Sequence, residues 1–218
     1  EVILLCNAVD YSGETTGIAT LTGDLKILTG KIAKDQTGLD TIPQPETVVT
    51  GDVAYVFTKE KRAVIDGNVV VVHTPAEPAP ADADEAEQAR HDPTTLYCDR
   101  LTFWYRKGDR KAVAQARLPK TKIRFVQKTR RGTAGMATYY DFEAGESETG
   151  DVLDLVGGVY GEDDDGQVIE AEVCRLLVDD DSSQWYNVKR VVVNLEEDEQ
   201  PSTAPPGPPP VPENTPTP

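Results

Sequence analysis

Hydrophobic and polar residues alternate along most of the chain, and a period of two is typical of half-buried β-strands. Two segments show the pattern best, VAYVF at residues 53–57 and LTFWY at residues 101–105. Each is followed by a polar turn of five residues and then by a second apolar segment. The alternation predicts that the large side chains of both segments face one interior, and these are Val53, Tyr55, Phe57, Leu101, Phe103 and Tyr105.

The two segments belong to an internal repeat. Aligned without gaps, residues 53–57 meet residues 101–105 position by position, and the turns keep their length. Weaker copies lie at residues 9–25, 136–159 and 173–193. A glycine stands late in the second strand of three units, at Gly23, Gly67 and Gly157. Because a glycine inside a strand marks a bulge or bend, each unit is predicted to bend there. Such repeats predict an all-β fold of stacked antiparallel strands around a continuous interior.

Two stretches interrupt the β pattern. Residues 74–93 are rich in alanine, proline and acidic side chains, which predicts a long insertion loop with a short helical turn at residues 84–90. Residues 196–218 join an acidic run to a proline-rich sequence that cannot bury apolar area, so we expect a disordered tail. Two roles are open for this tail: it is either a stiff spacer or a ligand for a PxxP-binding domain. The predicted organisation is one β domain at residues 1–195 followed by the tail.

One unit has an aspartate, a tyrosine-bearing strand, a polar turn, an alternating strand and then Gly-Asn-Val. The residues that carry this pattern are Asp52, Tyr55, Gly67, Asn68 and Val69. The pattern resembles the repeat of the OstA/LptA-type lipopolysaccharide-transport proteins. The second unit is similar through Asp99 and Arg100 but has Gln-Ala-Arg at residues 115–117 where Gly-Asn-Val is expected. The first unit is similar at residues 22–25.

The resemblance implies a twisted β-jelly-roll whose groove holds acyl chains. It implies a periplasmic protein of outer-membrane biogenesis that carries lipopolysaccharide or another anionic lipid, does no chemistry and needs no cofactor. Its expected partners are other β-jelly-roll envelope transport proteins, joined by pairing of edge strands, and a homo-oligomer is also open. The residues expected to line the apolar interior are Val53, Tyr55, Phe57, Val69, Leu101, Phe103, Tyr105, Ile123 and Phe125. The alternative is a non-catalytic β scaffold that assembles with envelope partners through its strand edges and tail.

Charge adds a second expectation. The net charge of -16 argues against nucleic-acid binding, which needs a basic surface. Twelve of the 22 Lys and Arg nevertheless lie within residues 100–131. Three of them, Lys120, Lys122 and Arg124, alternate with Thr121, Ile123 and Phe125. A strand there would turn a row of cations outward, and we expect this row to bind anionic headgroups. The alternative is a solvated edge strand whose cations oppose aggregation.

Little in the sequence indicates catalysis or metal binding. GxSxG, HExxH and Walker A motifs are absent from the sequence, and a carboxylate-pair glycosidase is the remaining enzymatic alternative. Residues 162–166 with Glu172 resemble a calcium loop, but Gly161 stands at the opening aspartate position, so an acidic turn is expected.

The cysteines and the N-terminus bear on the compartment. Cys6, Cys98 and Cys174 have no CxxC spacing; Cys98 and Cys174 are expected as buried thiols, and one disulfide is open. Residues 1–5 lack the basic region of a signal peptide. A mature form whose signal peptide has been removed and a cytosolic protein both fit this feature, and the resemblance favours the periplasm.

Overall fold

The computed structural model describes residues 2–12, 16–75, 79–83, 88, 91–106, 109–117, 121–128, 130–141, 151–177 and 182–193. The β-strands in these residues are β1 (Val2–Leu5), β2 (Ala8–Ser12), β3 (Ile18–Thr29), β4 (Ala33–Lys34), β5 (Asp40–Thr41), β6 (Thr47–Phe57), β7 (Arg62–His73), β8 (Thr94–Arg106), β9 (Asp109–Gln115), β10 (Ile123–Gln127), β11 (Arg130–Ala134), β12 (Met136–Asp141), β13 (Val152–Asp163), β14 (Val168–Leu177), β15 (Ser182–Tyr186) and β16 (Arg190–Val192).

The strands form one large antiparallel sheet of 14 strands, apart from the small β4–β5 pair. β3, β6, β7 and β8 follow one another in the order of the chain. The prediction of an all-β fold made of stacked antiparallel strands is therefore confirmed, and the fold is that of a β-jelly-roll.

The long strands bend near their middle, and this folds the sheet into two layers. In β8, residues 95–97 pair with β10, whereas residues 100–106 pair with β9. In β13, residues 152–156 pair with β12 and residues 160–163 pair with β11. Layer 1 consists of the strands β2, β9, β12 and β15 together with the halves of the long strands that pair with them. Layer 2 contains β1, β10, β11 and β16 with the other halves.

Glycines produce the bends. The register shifts next to Gly23, Gly67 and Gly157, and each of these glycines has a positive φ. The residue that follows each glycine also has a positive φ; Asn68, for example, has φ 48°. Two consecutive left-handed residues insert an extra residue into one strand and turn the chain sharply. The predicted bends at these three glycines are confirmed.

The two layers pack through their inner faces. Directly paired residues of antiparallel strands share a face, so the registers define one row of inward side chains in each layer. Inner row 1, in layer 1, contains Leu21, Ala54, Ile65, Leu101, Ala114, Ala137, Leu155, Cys174 and Trp185. Inner row 2, in layer 2, contains Leu4, Ile27, Val49, Val71, Leu96, Phe125, Gly132, Gly161, Ile169 and Val191. Members of both rows belong to one hydrophobic cluster.

The interruptions of the β pattern fall between and after the strands. β7 ends at His73 and β8 begins at Thr94, on either side of the acidic stretch. Most of the expected helical turn, at residues 84–87 and 89–90, lies outside the described residues, as does the tail at 196–218. The division into one domain and a tail stays a prediction. None of the described segments forms a helix with the length and apolar character of a membrane span.

Candidate functional site

The space between the two layers is filled by apolar side chains next to the bends. The largest fully buried side chains are Leu25, Ile65, Val69, Ile123, Val159 and Cys174. Farther from the bends, the packing of layer 1 is looser. Val56, Phe103 and Leu153 contact the cluster but are only partly buried. The interior is therefore packed most tightly along the bends.

Phe125 fills the interior of layer 2 by lying over a glycine. It pairs with Gly132, which in turn pairs with Gly161. A Cβ atom added at Gly132 would lie 2.1 Å from Cζ of Phe125. The ring thus occupies the volume that a side chain on β11 would take, and the missing side chains of two neighbouring strands leave room for it.

Trp185 joins the two layers near the C-terminal end. It belongs to inner row 1, and its indole lies 3.5 Å from the position that a Cβ of Gly161 in layer 2 would take. Its Nε1 donates a hydrogen bond to Oγ of Ser183 at 2.9 Å. Sequence reasoning did not select Trp185. The available indication was its position as the large apolar residue of the last repeat.

The structure places several of the expected interior residues on the inner face. Val69, Leu101 and Ile123 are buried members of the cluster, and Phe103 and Phe125 pack against it. Tyr105 has the same phase along β8 as Leu101 and Phe103. Its ring centroid lies 6.2 Å from that of Phe103, and 40% of the residue is exposed. Tyr105 therefore marks the end of the inner face at the tip of layer 1.

The expectation for β6 is wrong, because Val53, Tyr55 and Phe57 lie on the outer face. The inward residues of β6 are Ala54, which pairs with Ile65 of inner row 1, and Val56. The outward residues pair with Asp66, Val64 and Arg62 respectively.

Phe57 shows the outward orientation directly, since Cζ of Arg62 lies 4.0 Å from the centre of its ring. The gapless alignment of the two repeats was one residue out of phase. Ile65 pairs with Ala54 on one side and with Leu101 on the other. An alignment of Asp52 with Asp99 would have given this correct phase.

The cations of residues 120–125 lie on the outside where they are described. Lys120 lies outside the described residues. Nζ of Lys122 donates a hydrogen bond to the carbonyl oxygen of Gly158 at 2.5 Å. The guanidinium of Arg124 lies 4.3 Å above the ring of Tyr97. Arg124 thus faces away from Ile123 and Phe125, which point to the interior.

Other basic residues of the 100–131 segment form ion pairs with acids of neighbouring strands. Nε and Nη2 of Arg100 donate to the two carboxylate oxygens of Asp66 at 2.7 and 2.8 Å. Arg131 makes the same bidentate contact with Glu162: its Nε and Nη2 donate to the two carboxylate oxygens at 3.1 and 2.6 Å. These contacts lower the pKa of Asp66, and hydrogen bonds from Arg131 and Tyr160 lower the pKa of Glu162 to about 2. Part of the positive charge is therefore neutralised within the chain.

Apolar residues are exposed at the outer strands of both ends of the sheet. Among the described strands, β1 and β2 pair only with β3 at the N-terminal end, and β15 and β16 pair only with β14 at the other end. The exposed residues at the first end are Val2, Leu4, Leu5, Val9 and Tyr11. Those at the second end are Tyr186, Val188, Val191 and Val193.

The remaining sites of interest have structural explanations. Residues 163–167 form a tight turn between β13 and β14, in which Oδ1 of Asp163 accepts a hydrogen bond from the Gln167 N–H at 2.9 Å. In the described parts of the chain, no group of three or more His, Cys, Asp or Glu side chains is arranged to hold a metal ion. Cys6, Cys98 and Cys174 are free thiols, and burial raises the pKa of both Cys98 and Cys174 to about 12.

The chain has a weak similarity to a solved structure. No family model matches the chain, and no curated protein matches it. Among solved structures, the chain is similar to the crystal structure of LptH, the LptA homologous periplasmic component of the lipopolysaccharide transport device from Pseudomonas aeruginosa. The sequence identity is 14% and the TM-score is 0.41, over 64% of this chain and 75% of that chain. A similarity this weak indicates nothing about what this chain binds.

Proposed function

We propose that the protein is a periplasmic lipid carrier that holds acyl chains between the two layers of its jelly-roll. The observation that supports this proposal is the composition of the inner rows. Every position of both rows is apolar or glycine, from one edge of the sheet to the other. The outer face of the same strands carries the Asp66–Arg100, Asp154–Arg175 and Arg131–Glu162 ion pairs. The inner face therefore offers a continuous apolar surface for hydrocarbon.

The length of the rows also supports the proposal. Inner row 2 crosses ten strands, and strands about 4.8 Å apart make the row roughly 43 Å long. The hydrocarbon region of a bilayer is about 30 Å thick and contains two layers of acyl chains. One acyl chain is therefore less than half as long as the row. The interior is long enough for several chains laid side by side or end to end.

The carried lipid is proposed to be lipopolysaccharide or another anionic lipid, with Lys120, Lys122 and Arg124 at its headgroup. Lys122 lines an outer cleft of about 440 Å³ together with Lys189, Thr133 and Tyr160. Ammonium and hydroxyl groups are suitable partners for a phosphate. Glu170 also lines the cleft, and Nη1 of Arg190 lies 3.3 Å from its Oε1, so this ion pair offsets part of its repulsion of an anion. The headgroup assignment is thus tested separately from acyl-chain binding.

The test of acyl-chain binding uses two adjacent leucines of β1. Leu4 pairs with Ile27 and belongs to inner row 2, whereas Leu5 pairs with Lys26 and faces outward. Both are exposed, at 43% and 46%, so an aspartate at either position is tolerated by the fold. We expect Leu4→Asp to weaken binding of a fluorescent fatty acid to delipidated protein, and Leu5→Asp to leave it unchanged. Equal effects of the two variants would contradict binding at the inner face.

Native mass spectrometry of freshly purified protein identifies the cargo. We expect additional masses that correspond to bound lipid and that disappear after organic extraction. Charge reversal at Lys122 and Arg124 should weaken binding of an anionic lipid but not of an uncharged one. If both lipids bind the variant as well as the wild type, the headgroup assignment is wrong while the acyl-chain proposal stands.

A second candidate function is assembly through the strand edges. The exposed apolar residues of β1, β2, β15 and β16 lie on strands whose outer N–H and C=O groups are available for a further strand. A second jelly-roll, of this chain or of another envelope protein, could pair there. Leu4→Asp and Leu5→Asp would both weaken such assembly, measured by light scattering. Assembly without any bound lipid would favour the scaffold function over the carrier.

A further inference from the structure

A row of alternating aromatic and cationic residues crosses the outer face of layer 1 at the ends of its strands. Its members are directly paired on successive strands: Phe57, Arg62, Trp104, Lys111 and Tyr140. Cζ of Arg62 lies 4.0 Å from the ring centre of Phe57, and Nζ of Lys111 lies 5.0 Å from that of Trp104. We call this set the cation–aromatic row. The carrier function makes no use of it, since the row faces away from the interior.

The hairpin tips next to this row are fastened to one another. The backbone N–H of Tyr105 donates to the carbonyl oxygen of Lys61 at 2.9 Å, and Nη2 of Arg106 donates to that of Glu60 at 3.3 Å. The N–H and the hydroxyl of Thr58 both donate to the carbonyl oxygen of Gly17 at 2.9 Å. The ends of β6, β7 and β8 are therefore joined to one another and to Gly17.

This surface has a charge opposite to that of the whole chain. Residues 57–62, 104–106 and 111 contain five Lys and Arg and one acidic residue, in a chain with a net charge of -16. Lys59, Lys61 and Arg106 are exposed. The concentration of cations at one end of one layer is therefore a local feature that general solubility does not require.

We propose that Lys59, Lys61 and Arg106, at the described ends of the two hairpins, form with the cation–aromatic row a docking surface for an anionic lipid bilayer. Lys and Arg near a membrane surface are attracted to anionic headgroups. Trp and Tyr side chains prefer the membrane–water interface, where the apolar ring and the polar group are both accommodated. Both kinds of residue occur here side by side at the end of a layer, and all members of the row are partly exposed. Nucleic acid could also bind a cationic surface. It is a long polyanion, however, and the acidic surface of the rest of the protein would repel it.

The surface is tested with vesicles and the full protein. Wild-type protein should float with vesicles of equal parts phosphatidylglycerol and phosphatidylcholine, and not with vesicles of phosphatidylcholine alone. In the variant, Lys59→Gln is combined with Lys61→Asn, because Lys61 has φ 54° and asparagine tolerates that conformation. Loss of one cation should lower the affinity for anionic vesicles about five-fold, so the double variant should bind them about 25-fold more weakly. The control combines Lys26→Gln with Lys31→Gln, which removes the same charge from two exposed lysines elsewhere.

A second measurement reports where the protein touches the bilayer. The Trp185→Phe variant leaves Trp104 as its one tryptophan, and brominated phosphatidylglycerol vesicles should quench its fluorescence. The proposal is overturned if the control loses as much vesicle binding as the tip variant, if phosphatidylcholine vesicles bind equally well, or if Trp104 is not quenched. Binding to duplex DNA without binding to vesicles would overturn it in favour of a nucleic-acid surface. Leu4→Asp should keep vesicle binding, so failure of the carrier function and failure of docking are distinguishable.

Discussion

Replacing Gly67 with alanine tests how the bends are built. Gly67 has φ 79°, in the left-handed region, and a Cβ atom there would lie 2.2 Å from Oδ2 of Asp52 on the neighbouring strand. That carboxylate accepts a hydrogen bond from Nδ2 of Asn68 at 3.0 Å, and Asn68 is the second left-handed residue of the bend. The added methyl group therefore strains the backbone and also displaces the group that holds the next residue.

The two effects have separate magnitudes. A residue with a Cβ atom in the left-handed region costs about 1–2 kcal/mol. Rotation of the Asp52 carboxylate away from the methyl group loses its hydrogen bond with Asn68, worth about 0.5–1.5 kcal/mol. Because Asp52 and Asn68 are both exposed, the lower half of that range applies. We expect Gly67→Ala to lower the free energy of unfolding by about 1.5–3 kcal/mol.

Urea denaturation followed by circular dichroism measures this change. The Asp52→Ala background lacks the two closest atoms, Oδ2 and Cγ at 2.2 and 2.8 Å, and keeps only Cβ at 3.0 Å. The further loss caused by Gly67→Ala should therefore fall towards the backbone part, about 1–2 kcal/mol. An equal loss in both backgrounds would show that the carboxylate contact has no energetic role. A loss well under 1 kcal/mol in the wild-type background would refute the left-handed conformation of residue 67, because an alanine in that conformation strains the backbone by more than this.

Two further predictions concern titration and thiol reactivity. Hydrogen bonds from Arg100 lower the pKa of Asp66 below its ordinary value of 3.8. A carboxyl whose pKa is lower in the folded state stabilises the protein above the unfolded-state pKa, and that stabilisation is lost as pH falls through the folded-state value. Asp66→Asn should therefore lower the melting temperature at pH 7 and flatten its decline below about pH 4; an unchanged decline would contradict the ion pair. Because burial raises the pKa of Cys98 and Cys174 to about 12, iodoacetamide at about pH 8 should label Cys6 first. Intact mass measurement should show three modifications only after denaturation, and rapid native labelling of Cys98 would be contrary to its burial.

The sequence predicted the strands and bends because both depend on local properties. Alternation of apolar and polar residues sets which positions share a face, and glycine sets where two left-handed residues fit. Alternation does not say which of the two faces is inside. In β6 the larger residues Val53, Tyr55 and Phe57 are outside, whereas Ala54 is completely buried. Ala54 lies between the large buried residues Leu21 and Ile65 of the adjacent strands, so side-chain size alone was misleading.

The ion pairs were beyond prediction for a different reason. Asp66 and Arg100 are 34 residues apart and Arg131 and Glu162 are 31 apart. They meet only because the registers of β7 with β8 and of β11 with β13 place them directly opposite. A shift by one residue would turn each partner to the other face. Counting cations along residues 100–131 therefore overstated the positive charge that a ligand would meet.

The packing of layer 1 connects the two proposed surfaces. Next to the bends the inner side chains are buried, so an acyl chain finds little room there without separation of the layers. Toward the strand ends Val56 and Phe103 are only partly buried, and Tyr105 is exposed at the tip. The hairpin tips that carry Lys59 and Lys61 are at these same ends. A lipid that leaves a bilayer at the tips would meet the exposed apolar part of the inner face before its buried part. Docking at the tips and loading between the layers therefore require the same orientation of the molecule on the membrane.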